Sequence, residues 1–319
     1  MSEFLDKHND KIFVKYDKDK LLRDVESYKS GKGNLYKILR HFFEQEMYKC
    51  KGRRGEKTPM EALEDDDTMN YILEYIKSKP KFYASNDVAN VKSFFRNAQR
   101  VASKVSNFPV REALGIYEKY SKIGDTIYDS SCGFGSRMCA CILSGRNYIG
   151  SDPNLSLVEK LNECGSWLKN NIKGVGDYRI IPHGSEIEEP NIQVDLTFTS
   201  PPYYKLEKYG LDKTQSIIKY DTYDKWINGY ARLTIDNCIK YTNVGGIIAI
   251  NIKNSNDNKK YPLFNDWFNL LDNNKTEYVE TIEMKQSAKR QYGNKHFTGV
   301  KGSMGLKEPI MVFQKKFLV

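Results

Sequence analysis

The 319-residue sequence has little of what builds metal centres or disulfide frameworks. Its six cysteines form no Cys-x-x-Cys pair, and its four histidines are scattered. This pattern predicts no metal site, and it is typical of free, mostly buried thiols in a reducing compartment. The chain also lacks an apolar run long enough to cross a membrane, and its charged N-terminus lacks the apolar core of a signal peptide. We therefore expect a cytoplasmic protein without a membrane partner.

The sequence is rich in positive charge and in aromatic rings. The formal net charge is +9, and there are 22 tyrosines and 15 phenylalanines. Lys and Arg pair with phosphates, and aromatic rings stack on bases, so this composition is typical of nucleic-acid partners. An ordinary basic protein has a similar composition, and composition alone leaves both interpretations open.

Helical spacing of apolar residues dominates the first third of the chain. We expect residues 1–106 to form a helical, basic region that could contribute to DNA recognition. The helices predicted there are Asn34–Tyr48, Thr68–Lys77 and Asp87–Val105.

From residue 107 onward, short β-like runs alternate with helical ones. The predicted strands are Thr126–Asp129, Asn147–Ser151, Tyr178–Ile181, Val194–Thr199, Gly246–Ile252, Glu277–Glu283 and Glu308–Lys315. The predicted helices between them are Ser136–Ser144, Leu155–Asn170, Tyr223–Tyr241 and Leu263–Leu271. Such alternation predicts an α/β domain over residues 107–319, with a mostly parallel sheet and helices on both faces. The last two strands have no helix between them, which predicts an antiparallel pair at the sheet edge.

A glycine-containing turn follows the first predicted strand. It runs from Asp129 through Ser131, Cys132 and Gly133 to Gly135, and a helix opens behind it. Glycine allows a tight turn and a close approach of ligand to backbone, and the helix N-terminus offers N–H groups. No Lys-Ser/Thr pair follows the glycines, which disfavours phosphate transfer. A turn of this kind also occurs where strand simply packs on helix.

An acidic residue ends the second predicted strand, in the segment containing Asp152 and Asn154. Beside the glycine turn, a carboxylate can accept both hydroxyl groups of a ribose. Either residue could instead cap the helix that follows. Together with the glycine turn, Asp152 favours a cofactor that contains a nucleoside.

Two consecutive prolines follow the buried strand Val194–Thr199, in the order Ser200, Pro201, Pro202 and Tyr203. Proline has no N–H group and cannot continue a central strand. The segment therefore predicts a rigid loop at the carboxyl end of the sheet, where α/β proteins bind ligands. A plain Pro-Pro turn is the alternative.

In these segments the chain resembles the amino-methyltransferases of DNA. Ser200 to Tyr203 matches their Ser/Asn/Asp-Pro-Pro-aromatic motif, Asp129 to Gly135 matches their Asp-x-x-x-Gly-x-Gly cofactor loop, and Asp152 matches their ribose-binding acid. The segment that begins at Phe108 resembles the one that helps to enclose the methionine end of the cofactor. The order of the segments is similar to the γ arrangement of the family. Two departures are Ser130-Ser131 in place of the usual Pro-Phe, and the lack of a large recognition insert after Tyr203.

The resemblance implies a Rossmann-like class I methyltransferase sheet, S-adenosyl-L-methionine as cofactor, and double-stranded DNA with the target base flipped out. The implied catalytic residues are Ser200, Pro201, Pro202 and Tyr203. The implied cofactor-binding residues are Phe108, Asp129, Ser131, Cys132, Gly133, Gly135, Asp152, Asn154 and Ser200. Cys132 does not follow a proline, which disfavours methylation at cytosine C5.

Serine at the first motif position favours cytosine N4 as the target, whereas aspartate or asparagine is more typical of enzymes acting on adenine N6. Methylation of an RNA base, and a nucleic-acid-binding module without activity, remain alternatives. A further set of basic residues between the last two strands could follow a phosphate backbone or belong to a solvated loop. These are Lys285, Lys289, Arg290, Lys295 and Lys301.

Overall fold

The computed structural model describes residues 13–52, 57–78, 102, 105–187, 190–205, 209, 213–254, 261–284 and 308–317. The chain divides into two compact units, Met1–Asn107 with Leu206–Leu211, and Phe108–Lys205 with Asp212–Val319. Among the described helices, none is both long and apolar enough to span a bilayer.

The described part of the first unit is helical, as the apolar spacing predicts. Its helices are α1 (Lys18–Lys29), α2 (Tyr36–Tyr48), α3 (Pro59–Glu64) and α4 (Asp66–Lys77). The buried carboxylate of Asp24 in α1 accepts hydrogen bonds from the first amides of α2, at Lys37 (2.7 Å) and Ile38 (3.0 Å). This satisfies N–H groups that a helix leaves without partners at its start. The helix predicted at Asp87–Val105 lies almost entirely outside the described residues.

The second unit contains a seven-stranded sheet with helices between its strands. The strands are β1 (Thr126–Asp129), β2 (Asn147–Ser151), β3 (Tyr178–Ile181), β4 (Val194–Thr199), β5 (Thr242–Asn251), β6 (Thr276–Glu283) and β7 (Pro309–Lys315). The helices are α5 (Val110–Tyr120), α6 (Ser136–Leu143), α7 (Leu155–Asn171), α8 (Ser216–Lys219), α9 (Tyr223–Trp226), α10 (Arg232–Tyr241) and α11 (Leu263–Leu271).

The strand order is β3-β2-β1-β4-β5-β7-β6. The first five strands of this order are parallel, and β7 pairs antiparallel with both β5 and β6. We expect α6 and α7 on one face of the sheet and α10 on the other, because crossovers between parallel strands are right-handed and the chain crosses the sheet in opposite directions from β1 to β3 and from β4 to β5. This is a mostly parallel, Rossmann-like α/β sheet, and the predicted α/β fold class and antiparallel edge pair are confirmed.

Two elements differ from their predictions by more than one or two residues at an end. Strand β5 begins at Thr242 rather than Gly246, and its pairing with β4 is irregular where Gly245 adopts a left-handed backbone (φ 79°). The helix predicted over Tyr223–Tyr241 is interrupted by a π-helical turn at Ile227–Ala231. Such turns contain one extra residue and often occur at functional sites.

The centre of the sheet is apolar and buried on both faces, as expected for parallel strands. Phe198 of β4 is fully buried and packs edge-on against Phe108 and against Tyr117 of α5, with ring centroids 5.5 and 5.7 Å apart. Each buried side chain of this size contributes about 1.5–3 kcal/mol. This packing fixes the position of Phe108 relative to the carboxyl end of β4.

Candidate active site

Four adjacent parallel strands, β2, β1, β4 and β5, end at the same edge of the sheet. The chain continues from β1 to β2 on one side, whereas β4 lies on the other, so the strand order reverses between β1 and β4. Open α/β sheets bind ligands in the crevice at such a reversal. The three predicted segments follow β1, β2 and β4, and the structure brings them together at this edge.

Asp129, the last residue of β1, organises the glycine turn from within the core. Its side chain is fully buried. It accepts hydrogen bonds from the Tyr148 hydroxyl (2.7 Å), the Thr199 hydroxyl (2.9 Å), the Ser131 amide (3.1 Å) and Arg137 Nε (2.7 Å). These donors come from β2, β4, the loop and α6. The carboxylate therefore holds the walls of the crevice in place.

Arg137 neutralises this buried carboxylate. Its guanidinium donates to both Asp129 oxygens and also to the Ser131 carbonyl, and it lies 5.4 Å from the ring centre of Phe108. Burial lowers the pKa of Arg137, but attraction by Asp129 outweighs this effect and the pKa is raised. Arg137 therefore stays ionised, and Phe108 is connected to the glycine turn through its guanidinium.

The glycine turn has the backbone that its sequence predicts. Gly133 and Gly135 have positive φ angles of 55° and 71°, and Gly135 directly precedes α6. Between them and Asp129, the Cys132 amide donates to the Ser151 carbonyl at 3.0 Å. Burial raises the pKa of the Cys132 thiol well above its usual range, so this side chain is neutral. The loop presents backbone rather than charged side chains to the crevice.

Gly150 is a further glycine on which the loop depends. A Cβ atom at this position would lie 2.4 Å from Cys132 Sγ and 2.6 Å from a ring carbon of Tyr148. Strand β2 and the cofactor loop approach so closely because Gly150 has no side chain.

We expect Gly150→Ala to lower the free energy of unfolding by about 1–3 kcal/mol, because overpacking forces neighbouring groups to move. Chemical denaturation measures this loss. Gly115→Ala in α5 is a matched control, since a Cβ there meets nothing within 4 Å. Alanine in a helix should raise stability by up to about 1 kcal/mol. Equal effects of the two substitutions would contradict the close approach at Gly150.

Asp152 follows β2 and lies beside the glycine turn. Its half-buried carboxylate accepts hydrogen bonds from the amides of Asn154 (3.0 Å) and Gly133. Burial raises the pKa of Asp152 from 3.8 to about 7, and the two backbone hydrogen bonds oppose part of this rise. The carboxyl group is therefore close to half-ionised near neutral pH.

Asn154 has a structural contact of its own. It is the N-cap of α7, and its side-chain oxygen accepts from the Leu157 amide at 3.3 Å. Of the two residues that could cap this helix, Asn154 does so, and Asp152 remains directed towards the glycine turn.

The Ser-Pro-Pro-Tyr loop follows β4. The Ser200 hydroxyl donates to Asn251 Oδ1 at 3.1 Å, and the Tyr203 hydroxyl contacts the same oxygen at 3.4 Å. Pro201 and Tyr203 are buried, whereas Ser200 and Pro202 are half-buried. One oxygen at the end of β5 thus contacts both hydroxyl groups of the loop.

Hydroxyl groups connect the Ser-Pro-Pro-Tyr loop to the glycine turn. Ser130 donates to Thr199 at 3.0 Å, and Thr199 donates in turn to Asp129. The hydroxyl of Tyr230, in the π-helical turn, lies 3.3 Å from that of Ser131. Ser130 and Ser131, the two departures from the family pattern, therefore both have hydrogen-bonding partners.

An aromatic cluster lies behind Tyr203. The next residue, Tyr204, packs against Tyr223 and Trp226 with ring centroids 5.2 and 5.6 Å apart, and against Tyr261 at 5.1 Å. Lys205 is exposed, with its ammonium 5.3 Å from the Tyr204 ring centre. The basic segment between the last two strands, at Lys285 to Lys301, lies outside the described residues.

Sequence reasoning assigned no role to Arg137, Tyr230 or Asn251. A polar residue ends the apolar run of β5, and this was the available signal for Asn251. No comparable signal marks Tyr230, because its position depends on the π-helical turn.

No protein-family model matches the sequence, and no curated protein matches it either. Among solved structures, a SAM-dependent O-methyltransferase from Thermotoga maritima is similar over 67% of this chain and 68% of its own, at 13% identity and a TM-score of 0.43. A TehB-like SAM-dependent methyltransferase from Corynebacterium glutamicum is similar over 71% and 97%, at 14% identity and a TM-score of 0.42. An rRNA methylase from Streptococcus thermophilus is similar over 67% and 99%, at 11% identity and a TM-score of 0.40. At such low identities and TM-scores, the assignment of the fold depends on this chain's own strand order and register.

Proposed function

We propose that this protein is an S-adenosyl-L-methionine-dependent methyltransferase that modifies an exocyclic amino group of a DNA base, with cytosine N4 favoured. The proposal depends above all on the hydrogen bond between Thr199 and Asp129. Through it, the loop that contains Ser200 is fixed directly beside the glycine turn, so that a methyl donor and its acceptor would meet at one sheet edge.

The residues around the crevice fit the proposed cofactor. Asp152 would accept the ribose hydroxyls, and its half-buried carboxylate lies next to the Gly133 amide. A Cβ at Gly133 would meet nothing closer than 3.9 Å, which leaves room above the turn. The remaining cofactor-binding residues we propose are Phe108, Asp129, Ser131, Cys132, Gly135, Asn154 and Ser200. When bound, the cofactor supplies a methyl group on a positively charged sulfur, which keeps the electron pair of the broken bond as a neutral thioether.

Asp129 and Asn154 would act on the cofactor indirectly. The oxygens of Asp129 accept from four neighbouring residues, and the side-chain oxygen of Asn154 caps α7. Both would shape the loop rather than bind the cofactor through their side chains.

The catalytic loop would prepare the amine. An exocyclic amine is a poor nucleophile because its lone pair is delocalised into the ring, and acceptors directed at its N–H groups help to localise that pair. The Ser200 hydroxyl oxygen and the Pro201 carbonyl would be these acceptors, with Pro202 keeping the loop rigid. Tyr203 would stack on the flipped base. Positioning of this kind accounts for most of the rate enhancement in such a reaction. The methylated amine then passes one proton to water.

Double-stranded DNA is the substrate we propose, in keeping with the net charge of +9. The helical region 1–106 would contribute to recognition. Adenine N6 in DNA is the second candidate, because the same acceptors suit any aromatic amine. A base in RNA is the third.

Methyl transfer from labelled cofactor to unmodified DNA tests the proposal, with digestion to nucleosides and mass analysis. N4-methylcytosine is the expected product. N6-methyladenine would keep the mechanism and change the base, whereas a product found only with RNA would reassign the substrate. A protein that binds the cofactor but modifies neither nucleic acid would overturn the proposal.

We expect Ser200→Ala to lower kcat by about 10- to 100-fold, which corresponds to the loss of a hydrogen bond of about 1.5–3 kcal/mol. Steady-state rates on saturating DNA measure the effect. Ser144→Ala, which removes a hydroxyl bonded to the Cys141 carbonyl in α6, is the matched control and should keep the wild-type rate. A Ser200→Ala rate equal to that of the control would exclude this hydroxyl from catalysis.

A further inference from the structure

Asn251 ends β5 and lies directly beneath the catalytic loop. Its side chain is 2% exposed, and its amide nitrogen donates to the Pro309 carbonyl of β7 at 2.9 Å. Its amide oxygen lies 3.1 Å from the Ser200 hydroxyl and 3.4 Å from that of Tyr203. A single buried amide thus connects the start of β7 to both hydroxyl groups of the loop.

The orientation of this amide is fixed by its partners. A backbone carbonyl can only accept a hydrogen bond, so the NH₂ group of Asn251 must face Pro309. The amide oxygen must then face Ser200 and Tyr203. The reverse orientation would bring two oxygens together at Pro309, and its cost in a buried setting is high.

The fixed amide oxygen decides where the hydroxyl protons point. An amide oxygen cannot donate, so Ser200 and Tyr203 must each give their single hydroxyl proton to it. With its proton committed to Asn251, the Ser200 oxygen has only lone pairs available for a substrate. The hydroxyl can then accept a hydrogen bond from a substrate, but it cannot donate one.

We propose that Asn251 is a positioning residue that turns the Ser200 hydroxyl into an obligate hydrogen-bond acceptor, and so selects a substrate group that donates N–H. This inference rests on the proposed function, which it deepens: a primary amine satisfies such a site, whereas a carbonyl oxygen or an unprotonated ring nitrogen does not. The second contact, to Tyr203, holds the tip of the ring that would stack on the base.

The variant Asn251→Asp tests this hydrogen-bond pattern through the pH dependence of kcat. A protonated aspartic acid keeps the pattern, because its O–H donates to Pro309 and its carbonyl oxygen accepts from both hydroxyls. The ionised form points a negative oxygen at the Pro309 carbonyl and loses the pattern. We expect kcat relative to the wild type to fall with rising pH, by about tenfold per unit once the new carboxyl ionises.

Two variants serve as comparisons, both at saturating DNA and cofactor. Asn273→Asp changes a half-buried asparagine near the end of α11, whose amide likewise donates to a backbone carbonyl, that of Leu270 (2.9 Å). Its relative rate should not change with pH. Asn251→Ala should lower kcat at least tenfold with little change in the KM for DNA. The activity of the Asn251→Asp variant at low pH then separates a loss of the hydrogen-bond pattern from a failure to fold.

Thermal unfolding gives a readout that does not depend on activity. Because burial favours the protonated acid, the Asn251→Asp variant should lose stability relative to the wild type as pH rises from about 5 to about 8. The Asn273→Asp variant should show a much smaller change.

The outcomes separate this inference from the proposed function. A constant rate ratio for Asn251→Asp across this pH range, or a near wild-type kcat for Asn251→Ala, would overturn the role of Asn251 and leave the methyltransferase proposal standing. A wild type without activity on any nucleic acid would overturn the proposed function, and the stability profile alone would then decide whether Asn251 fixes the hydroxyl protons.

Discussion

Replacing Arg137 with methionine is expected to lower the free energy of unfolding by about 3–5 kcal/mol. The main cause is the buried Asp129 carboxylate that loses its cation, rather than the loss of packing contacts made by Arg137. Asp129 is fully buried, and Arg137, itself 5% exposed, is the cation with which it forms an ion pair at 2.7 Å. Without the guanidinium, the carboxylate must either remain as an uncompensated charge in the core or take up a proton and lose donors.

Chemical denaturation of four proteins separates these effects. These are the wild type, Arg137→Met, Asp129→Asn and the double variant Asp129→Asn with Arg137→Met. The double variant should be more stable than the sum of the single losses predicts, because it has no unpaired buried charge at either position. The coupling energy should reach about 1–3 kcal/mol. Additive losses, or an Arg137→Met variant within about 0.5 kcal/mol of the wild type, would refute the buried pair as an organiser of the loop.

The same substitutions should weaken cofactor binding. Arg137 also donates to the Ser131 carbonyl and lies against Phe108. Its loss releases the loop at Ser131 and removes the contact with Phe108. Asp129→Asn should have the milder effect on affinity, since an amide oxygen can still accept from Thr199 and Tyr148.

The sheet could be predicted closely from the sequence because its central strands are short apolar runs with clear ends. The limits of β1, β2, β3 and β4 were predicted to the residue. Strand β5 was not, because its first half contains Gly245 in a left-handed conformation, and a bulge has no alternating pattern to recognise. The π-helical turn was missed for a similar reason, since one inserted residue does not disturb the apolar spacing over a single turn.

The positions of the site segments could be predicted, but the hydrogen bonds that connect them could not. A turn after a strand indicates where Asp129, Asp152 and Ser200 lie, because the carboxyl ends of parallel strands meet at one edge. Asn251 reaches Ser200 and Pro309 across 51 and 58 residues of sequence. Such contacts depend on register and side-chain direction, and a single sequence records neither.

The affinity for S-adenosylmethionine is expected to rise with pH up to about pH 7 and then to level off. The pKa of the Asp152 carboxyl is raised to about 7, mainly by burial. Ribose hydroxyls donate hydrogen bonds, and they prefer the ionised carboxylate. Below this pKa, each pH unit should weaken binding by up to about tenfold, because the carboxylate must first release its proton.

Isothermal calorimetry with S-adenosylmethionine across this range measures the dependence. Asp152→Asn is the matched variant, since its amide oxygen can still accept from Asn154 and Gly133 but cannot ionise. We expect it to bind more weakly than the wild type at about pH 8, with an affinity that changes little with pH. A wild-type affinity that is constant between about pH 5 and pH 8 would argue against Asp152 as the ribose acceptor.

The same carboxyl should make the ligand-free protein less stable as pH rises. The folded state keeps the Asp152 proton up to about pH 7, whereas an unfolded aspartate loses it near its usual pKa of 3.8. The stability that this group contributes is therefore complete below about pH 3.8. It is lost between about pH 3.8 and pH 7, by up to about 1.4 kcal/mol per pH unit. Asp152→Asn avoids this loss, so above pH 7 it should unfold at a higher temperature than the wild type while binding the cofactor less well. A residue that costs stability in the free protein and contributes affinity in the complex serves the ligand rather than the fold. A variant that lost both stability and affinity would instead identify Asp152 as a structural residue of the loop.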